Sequence, residues 1–108
     1  MQALLVLSTC PDEASAARIA ETLVSERLAA CVTRVPGARS LYRWQGVLEQ
    51  TDEVQLLIKT SAACYAQLAG RLRALHPYAV PEILALPVAH ADADYLDWLH
   101  AQVTAPAP

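Results

Sequence analysis

Apolar residues recur along this chain in two rhythms, short unbroken runs and stripes at helical spacing, and the two alternate. Ala3-Leu4-Leu5-Val6-Leu7 is an unbroken run that suits a strand covered on both faces. Thr9-Cys10-Pro11-Asp12-Glu13 then reads as a helix start, with the proline in the first turn and two carboxylates at the positive end of the helix dipole. Ala16, Ile19, Ala20, Leu23 and Val24 give that helix its apolar stripe, and its end is expected near Leu28. Ala29 to Val35 reads as a second strand, closed by a turn at Pro36-Gly37. Between Ser40 and Glu49, Leu41, Tyr42, Trp44 and Val47 favour extended structure and predict a projecting hairpin.

The second half repeats the rhythm. Val54 to Thr60 predicts a strand, and Ser61 is placed to cap a helix carrying Cys64, Leu68, Leu72 and Leu75. A proline-flanked loop ends that helix, Glu82 to Val88 predicts the last strand, and Asp92 or Asp94 caps a final helix with Leu96, Leu99 and Val103 on one face. Two β-α-β units joined through a hairpin give βαββαβ, an α+β fold of ferredoxin-like type with two helices on one face of an antiparallel sheet and an extra C-terminal helix. One domain over residues 1–103 is expected, followed by a frayed tail from Thr104 to Pro108. The short third helix leaves much of the other sheet face open, which points to contact with further copies of the chain.

Composition narrows the function. With 108 residues, 55% of them hydrophobic and 18% charged, the chain is a folded domain with more apolar surface than it can bury alone. Eight basic and 11 acidic side chains give a net charge of −3 with no block of like charge, which argues against nucleic acid as a partner. The strands Leu4 to Leu7 and Val54 to Ile58 carry no aromatic side chains for stacking bases. No run approaches membrane-spanning length, and the N-terminal apolar run is too short for a signal-peptide core, so a cytoplasmic protein without a membrane partner is expected. Cys10, Cys31 and Cys64 cannot all pair within the chain and show no Cys-x-x-Cys spacing, so they read as free thiols.

The densest chemistry lies in His76-Pro77-Tyr78-Ala79-Val80-Pro81-Glu82-Ile83, where two prolines stiffen a segment holding an imidazole, a phenol and a carboxylate. His76 is a candidate metal ligand, with Cys31, Cys10 or Glu82 completing a site, because imidazole and thiolate suit copper. The structural alternative is that His76 caps the preceding helix. Glu82 has its own alternative, an ion pair with Arg43 or Lys59 at a subunit contact. Cys10, before a proline at a helix start, is expected to have a lowered thiol pKa and to be the most reactive cysteine. Cys31 reads as a small mid-strand hydrophobe unless it lines a pocket, and Cys64 as core. Tyr42 and Trp44 fit a subunit interface better than a ligand-stacking site. Lys59 could meet an anion, but no glycine-rich phosphate cradle accompanies it, and an acylphosphatase-like enzyme would need such a loop.

Glu26-Arg27-Leu28-Ala29-Ala30-Cys31, Leu41-Tyr42-Arg43-Trp44-Gln45-Gly46, Leu57-Ile58-Lys59-Thr60, His76-Pro77-Tyr78 through Pro81-Glu82-Ile83, and Tyr95-Leu96-Asp97-Trp98-Leu99 together resemble the CutA (CutA1) divalent-cation tolerance family. The resemblance implies a subunit similar to the PII signalling proteins, assembled as a homotrimer, without enzymatic activity, and binding copper or another divalent metal ion. Certain family members have a cysteine where this chain has Ser8 and a second histidine where it has Leu75, so of that pattern only His76 is carried over. The rival expectation is a PII-like trimer that senses a small anionic metabolite in an inter-subunit cleft formed with Lys59, Tyr78 and Arg43.

Overall fold

The computed structural model describes residues 2–104. Strand β1 (Ala3–Cys10) is followed by helix α1 (Glu13–Ser25), strands β2 (Cys31–Trp44) and β3 (Val47–Ser61), a single 3₁₀ turn at Ala62–Cys64, helix α2 (Tyr65–Leu75), strand β4 (Leu84–Pro87) and helix α3 (Ala93–Gln102). The strands lie in the order β2-β3-β1-β4, every neighbouring pair antiparallel, which is the expected ferredoxin-like α+β arrangement.

Side-chain alternation decides which face is covered. Val6, Ser8 and Cys10 point from β1 into the core, where Val6, Leu56 and Ile58 pack against Ile19 and Leu23 of α1 and Leu68 and Leu72 of α2. Leu5 and Leu7 alternate with them and fall on the opposite face, opposite Leu86 and Leu84 of β4. Helix α3 covers one end of that face, where Leu99 packs with Ala3 and Ala30. Leu84 and Leu86 stay exposed.

Several boundaries differ from expectation. β1 runs on through Cys10, so Pro11 lies outside α1 and Asp12 is its N-cap, its carboxylate accepting from the Ser15 N–H at 2.8 Å. α1 ends at Ser25 rather than near Leu28, because Arg27 takes a left-handed φ of 60°. Arg27 N–H then donates to Val24 O at 3.0 Å and Leu28 N–H to Leu23 O at 2.9 Å, a Schellman closure with arginine in the place glycine usually fills. The guanidinium is thereby aimed at the end of α3, donating to Ala101 O at 2.7 Å and to Thr104 Oγ1 at 3.0 Å.

Pro36-Gly37 does not end a strand. Two residues of β2 oppose Val54 alone between the pairs Val35–Gln55 and Ala38–Glu53, forming a bulge with Gly37 at φ 84°. β2 therefore continues into the expected hairpin, which closes at Gln45 and Gly46, both at positive φ, with Trp44 opposite Val47. The projection stretches the molecule to 44 × 27 × 23 Å and raises its radius of gyration to 14.4 Å, against about 13 Å for an ordinary domain of this size.

Ser61 precedes the 3₁₀ turn, yet its hydroxyl makes no cap bond and is buried without a partner among the described residues. Cys64 belongs to that turn and is fully buried, as expected of a core residue. β4 is shorter than the expected span from Glu82 to Val88, and α3 is capped by Asp92, which accepts from Tyr95 N–H at 3.1 Å. Thr104 is not frayed: its N–H donates to Arg27 O at 2.9 Å and its carbonyl faces the Cys64 thiol at 3.2 Å. The rest of the expected tail, 105–108, lies outside the described residues.

Candidate functional site

The proline-flanked segment leaves α2 at His76, whose N–H closes the helix on Leu72 O at 3.0 Å and whose φ and ψ of −75° and 135° already lead into the extended chain that Pro77 demands. His76 is thus the C-cap of α2, as the structural reading expects, but it caps through its backbone, and the buried imidazole finds its partners outside the helix. Its Nδ1 accepts from Tyr78 N–H at 3.1 Å, and its Nε2 lies 2.8 Å from Thr9 O, which can only accept, so these partners fix a neutral ring protonated at Nε2.

Both ring nitrogens are thus engaged, and neither offers a lone pair to a metal ion. Cys10 Sγ stands 3.9 Å from Nε2, but the thiol is fully buried at the end of β1, and burial, followed by the negative charges of Asp12 and Glu53, pushes its pKa up to about 11. The expected lowered pKa is reversed because Cys10 is a core residue of a strand and not the first residue of a helix. The pair His76 and Cys10 does not fit a metal site in this arrangement.

The other candidates are dispersed. Cys31 is the first residue of β2 rather than mid-strand, and it is half-buried. Lys59, directly opposite, donates to Thr33 Oγ1 at 2.6 Å and lies 3.7 Å from Cys31 Sγ. Glu82 is exposed, and the ion pairs among the described residues, Arg34–Glu13, Arg39–Asp52 and Arg71–Glu26, do not include it. Its expected pairing with Arg43 or Lys59 is therefore not made within one chain. Among the described residues no three His, Cys, Asp or Glu side chains stand close enough together to hold a metal ion.

A cavity of about 680 Å³ opens where the loop meets the hairpin. Tyr42 and Trp44 of β2, Glu53 of β3, and Tyr78 and Glu82 of the loop line it, while Lys59 and Arg43 do not. At its wall the Tyr78 hydroxyl donates to Glu53 Oε2 at 2.7 Å, and the two ring systems of His76 and Tyr78 lean together at 4.9 Å between centroids. Burial and then the hydrogen bond to Glu53 raise the Tyr78 pKa far above its ordinary value, so the phenol stays a donor and Glu53 an acceptor. Glu53 escaped the sequence reading because Thr51-Asp52-Glu53 resembles a solvated turn. The bulge at Pro36-Gly37, which keeps β2 paired with β3 past Val35, puts Glu53 inside a ladder instead.

Residues 4–102 match the family model described as CutA1 divalent ion tolerance protein. A divalent-cation tolerance protein CutA from Pectobacterium atrosepticum is 52% identical over 101 residues, spanning 94% of this chain and 92% of that protein. The crystal structure of CutA from Xylella fastidiosa superposes with a TM-score of 0.94 at 50% identity, covering 96% of this chain and 100% of that one. A divalent cation tolerance protein of Thermus thermophilus gives a TM-score of 0.92, also at 50% identity, over 94% of this chain and 99% of its own. With the fold, the full span of the match and half of the residues in common, this chain belongs to the CutA1 divalent ion tolerance family.

Proposed function

We propose that this chain works as a cytoplasmic homotrimer in the response to divalent metal ions, binding copper or another divalent ion without catalysing a reaction. The observation that carries the assembly is the apolar surface left in water by the hairpin, where Leu41, Val47 and Leu48 are 66%, 58% and 63% exposed, with Leu84 and Leu86 exposed separately on the edge strand β4. Burying such side chains stabilises an assembly by about 25 cal/mol for each Å² removed from water, and a projecting two-stranded arm has little core of its own to rest on. The name of the family supports the connection to divalent ions, and the expected likeness to the PII proteins supports a threefold order. Free thiols at Cys10, Cys31 and Cys64 support a reducing compartment.

In this account the metal ion binds where copies meet, because His76 is spent on Thr9 and Tyr78 while Cys31 and Glu82 keep accessible surface for a ligand set shared between subunits. Thiolate favours a soft ion such as copper. An anionic metabolite is the poorer occupant, since the cavity beside the loop presents Glu53 and Glu82 and neither Lys59 nor Arg43.

Light scattering combined with copper titration tests both halves. The wild type should elute as a trimer, Leu48→Glu should shift toward smaller species, and Cys31→Ser or Glu82→Gln should weaken copper binding while leaving the trimer intact. A wild-type monomer at micromolar concentration, or copper binding indifferent to both substitutions, contradicts the proposal.

A further inference from the structure

The carboxylate of Glu53 is left short of partners within one chain. The residue is 6% exposed, it accepts from the Tyr78 hydroxyl, and no ion pair among the described residues includes it. A carboxylate has room for about four hydrogen bonds, and a buried one without a counter-charge is costly. The cavity beside it is walled in part by Tyr42 and Trp44 of the hairpin, the element that neighbouring copies cover in the proposed trimer. The group that completes Glu53 is therefore to be sought on a second copy of the chain.

The chain has few cations free for the task. Of its eight Lys and Arg side chains, Arg34, Arg39 and Arg71 are in ion pairs, Arg27 is bound to the end of α3, and Lys59 donates to Thr33. Among the described residues that leaves Arg18, Arg43 and Arg73 without a side-chain partner. Arg18 lies on α1 and Arg73 on α2, while Arg43 lies on the projecting arm. It falls between Tyr42 and Trp44, which wall the cavity, so strand alternation turns it to the other face of the arm, away from its own Glu53. Directly opposite it in the ladder is Leu48, which is 63% exposed and shares that face. A guanidinium also suits the receiving site, since it pairs with carboxylates as a fork and packs against aromatic rings.

We infer that Arg43 of the partner subunit enters the cavity and pairs with Glu53, the Tyr78 hydroxyl holding one carboxylate oxygen and leaving the other for the guanidinium. Leu48 on the same face is carried in beside it, and a cavity of about 680 Å³ has room for more than one side chain. Each copy then gives the back of its arm to one neighbour and receives an arm from the other. Such a head-to-tail contact closes into a ring, so the pairing also sets the direction in which the copies follow one another. This contact rests on the trimer proposed above.

Sedimentation of the intact protein in increasing urea tests it through the variants Arg43→Met, Glu53→Gln and the two combined. Each single change should raise the subunit dissociation constant about tenfold or more, the scale of breaking a desolvated charge pair, and the double variant should be no weaker than the worse single one. A wild-type trimer in which the two losses simply add overturns the pairing alone, whereas a wild-type monomer overturns the pairing and the assembly together. Should Glu53→Gln fail to fold by circular dichroism, a crystal structure of the assembled wild type decides: the partner subunit's Arg43 should stand within about 4 Å of Glu53, the reach of an ion pair. Any other group of a neighbouring copy at that carboxylate, or water alone, overturns the pairing.

Discussion

The imidazole of His76 donates through Nε2 to the carbonyl oxygen of Thr9, 2.8 Å away, and so fastens the loop after α2 to the end of β1 across 67 positions of sequence. With Nδ1 accepting from Tyr78 N–H, the same ring also sets the path of the loop toward Glu53. The residue with the best ligand chemistry in the sequence is therefore a structural tie.

Replacing His76 with Ala should lower stability by about 1–3 kcal/mol, since it strands the buried Thr9 carbonyl and frees the loop. Copper titration of the same variant should match wild type. Chemical denaturation and calorimetry check the two together, and lost copper affinity at unchanged stability would return His76 to the metal site.

Cys10 gives an alkaline signature. A thiol with a folded pKa of about 11, raised above its ordinary value of 9.0, contributes stability that is fully present below pH 9.0 and is lost as pH rises through 11. Unfolding followed between pH 8 and 11 should show that decline, and Cys10→Ala should flatten it. At pH 8 a thiol reagent should leave Cys10 and Cys64 unlabelled in the native protein and reach them only on denaturation.

Arg27 separates backbone strain from side-chain contact. Arg27→Gly and Arg27→Ala both lose the bonds to Ala101 O and Thr104 Oγ1, but glycine accepts the left-handed φ freely. The Gly variant should be more stable than the Ala variant by about 1 kcal/mol in urea denaturation. Equal stabilities would mean that the turn after α1 relaxes without a left-handed residue.

Most of the fold was legible in periodicity alone. Val6, Leu56 and Ile58 in strand runs, and Ile19, Leu23, Leu68 and Leu72 at helical spacing, are the residues that meet in the core. What misled was local chemistry that tertiary pairing overrides. Cys10-Pro11 looks like a helix start until β3 pairs with β1 as far as Val54 and Cys10, and Pro36-Gly37 looks like a turn until the ladder resumes at Ala38 and Glu53. The site was legible as residue types and not as partners. The direction in which His76 turns is settled by Thr9, far away in sequence, and Glu53 acquires its role only when Tyr78 reaches it.

Native mass spectrometry of the protein with and without added copper reads assembly and metal content in one spectrum, and so tests whether a trimer binds the ion. A trimer is expected in both conditions, with copper adducts carried by the trimer and lost from any dissociated monomer. A monomer in both conditions, or copper retained by isolated monomers, would contradict it.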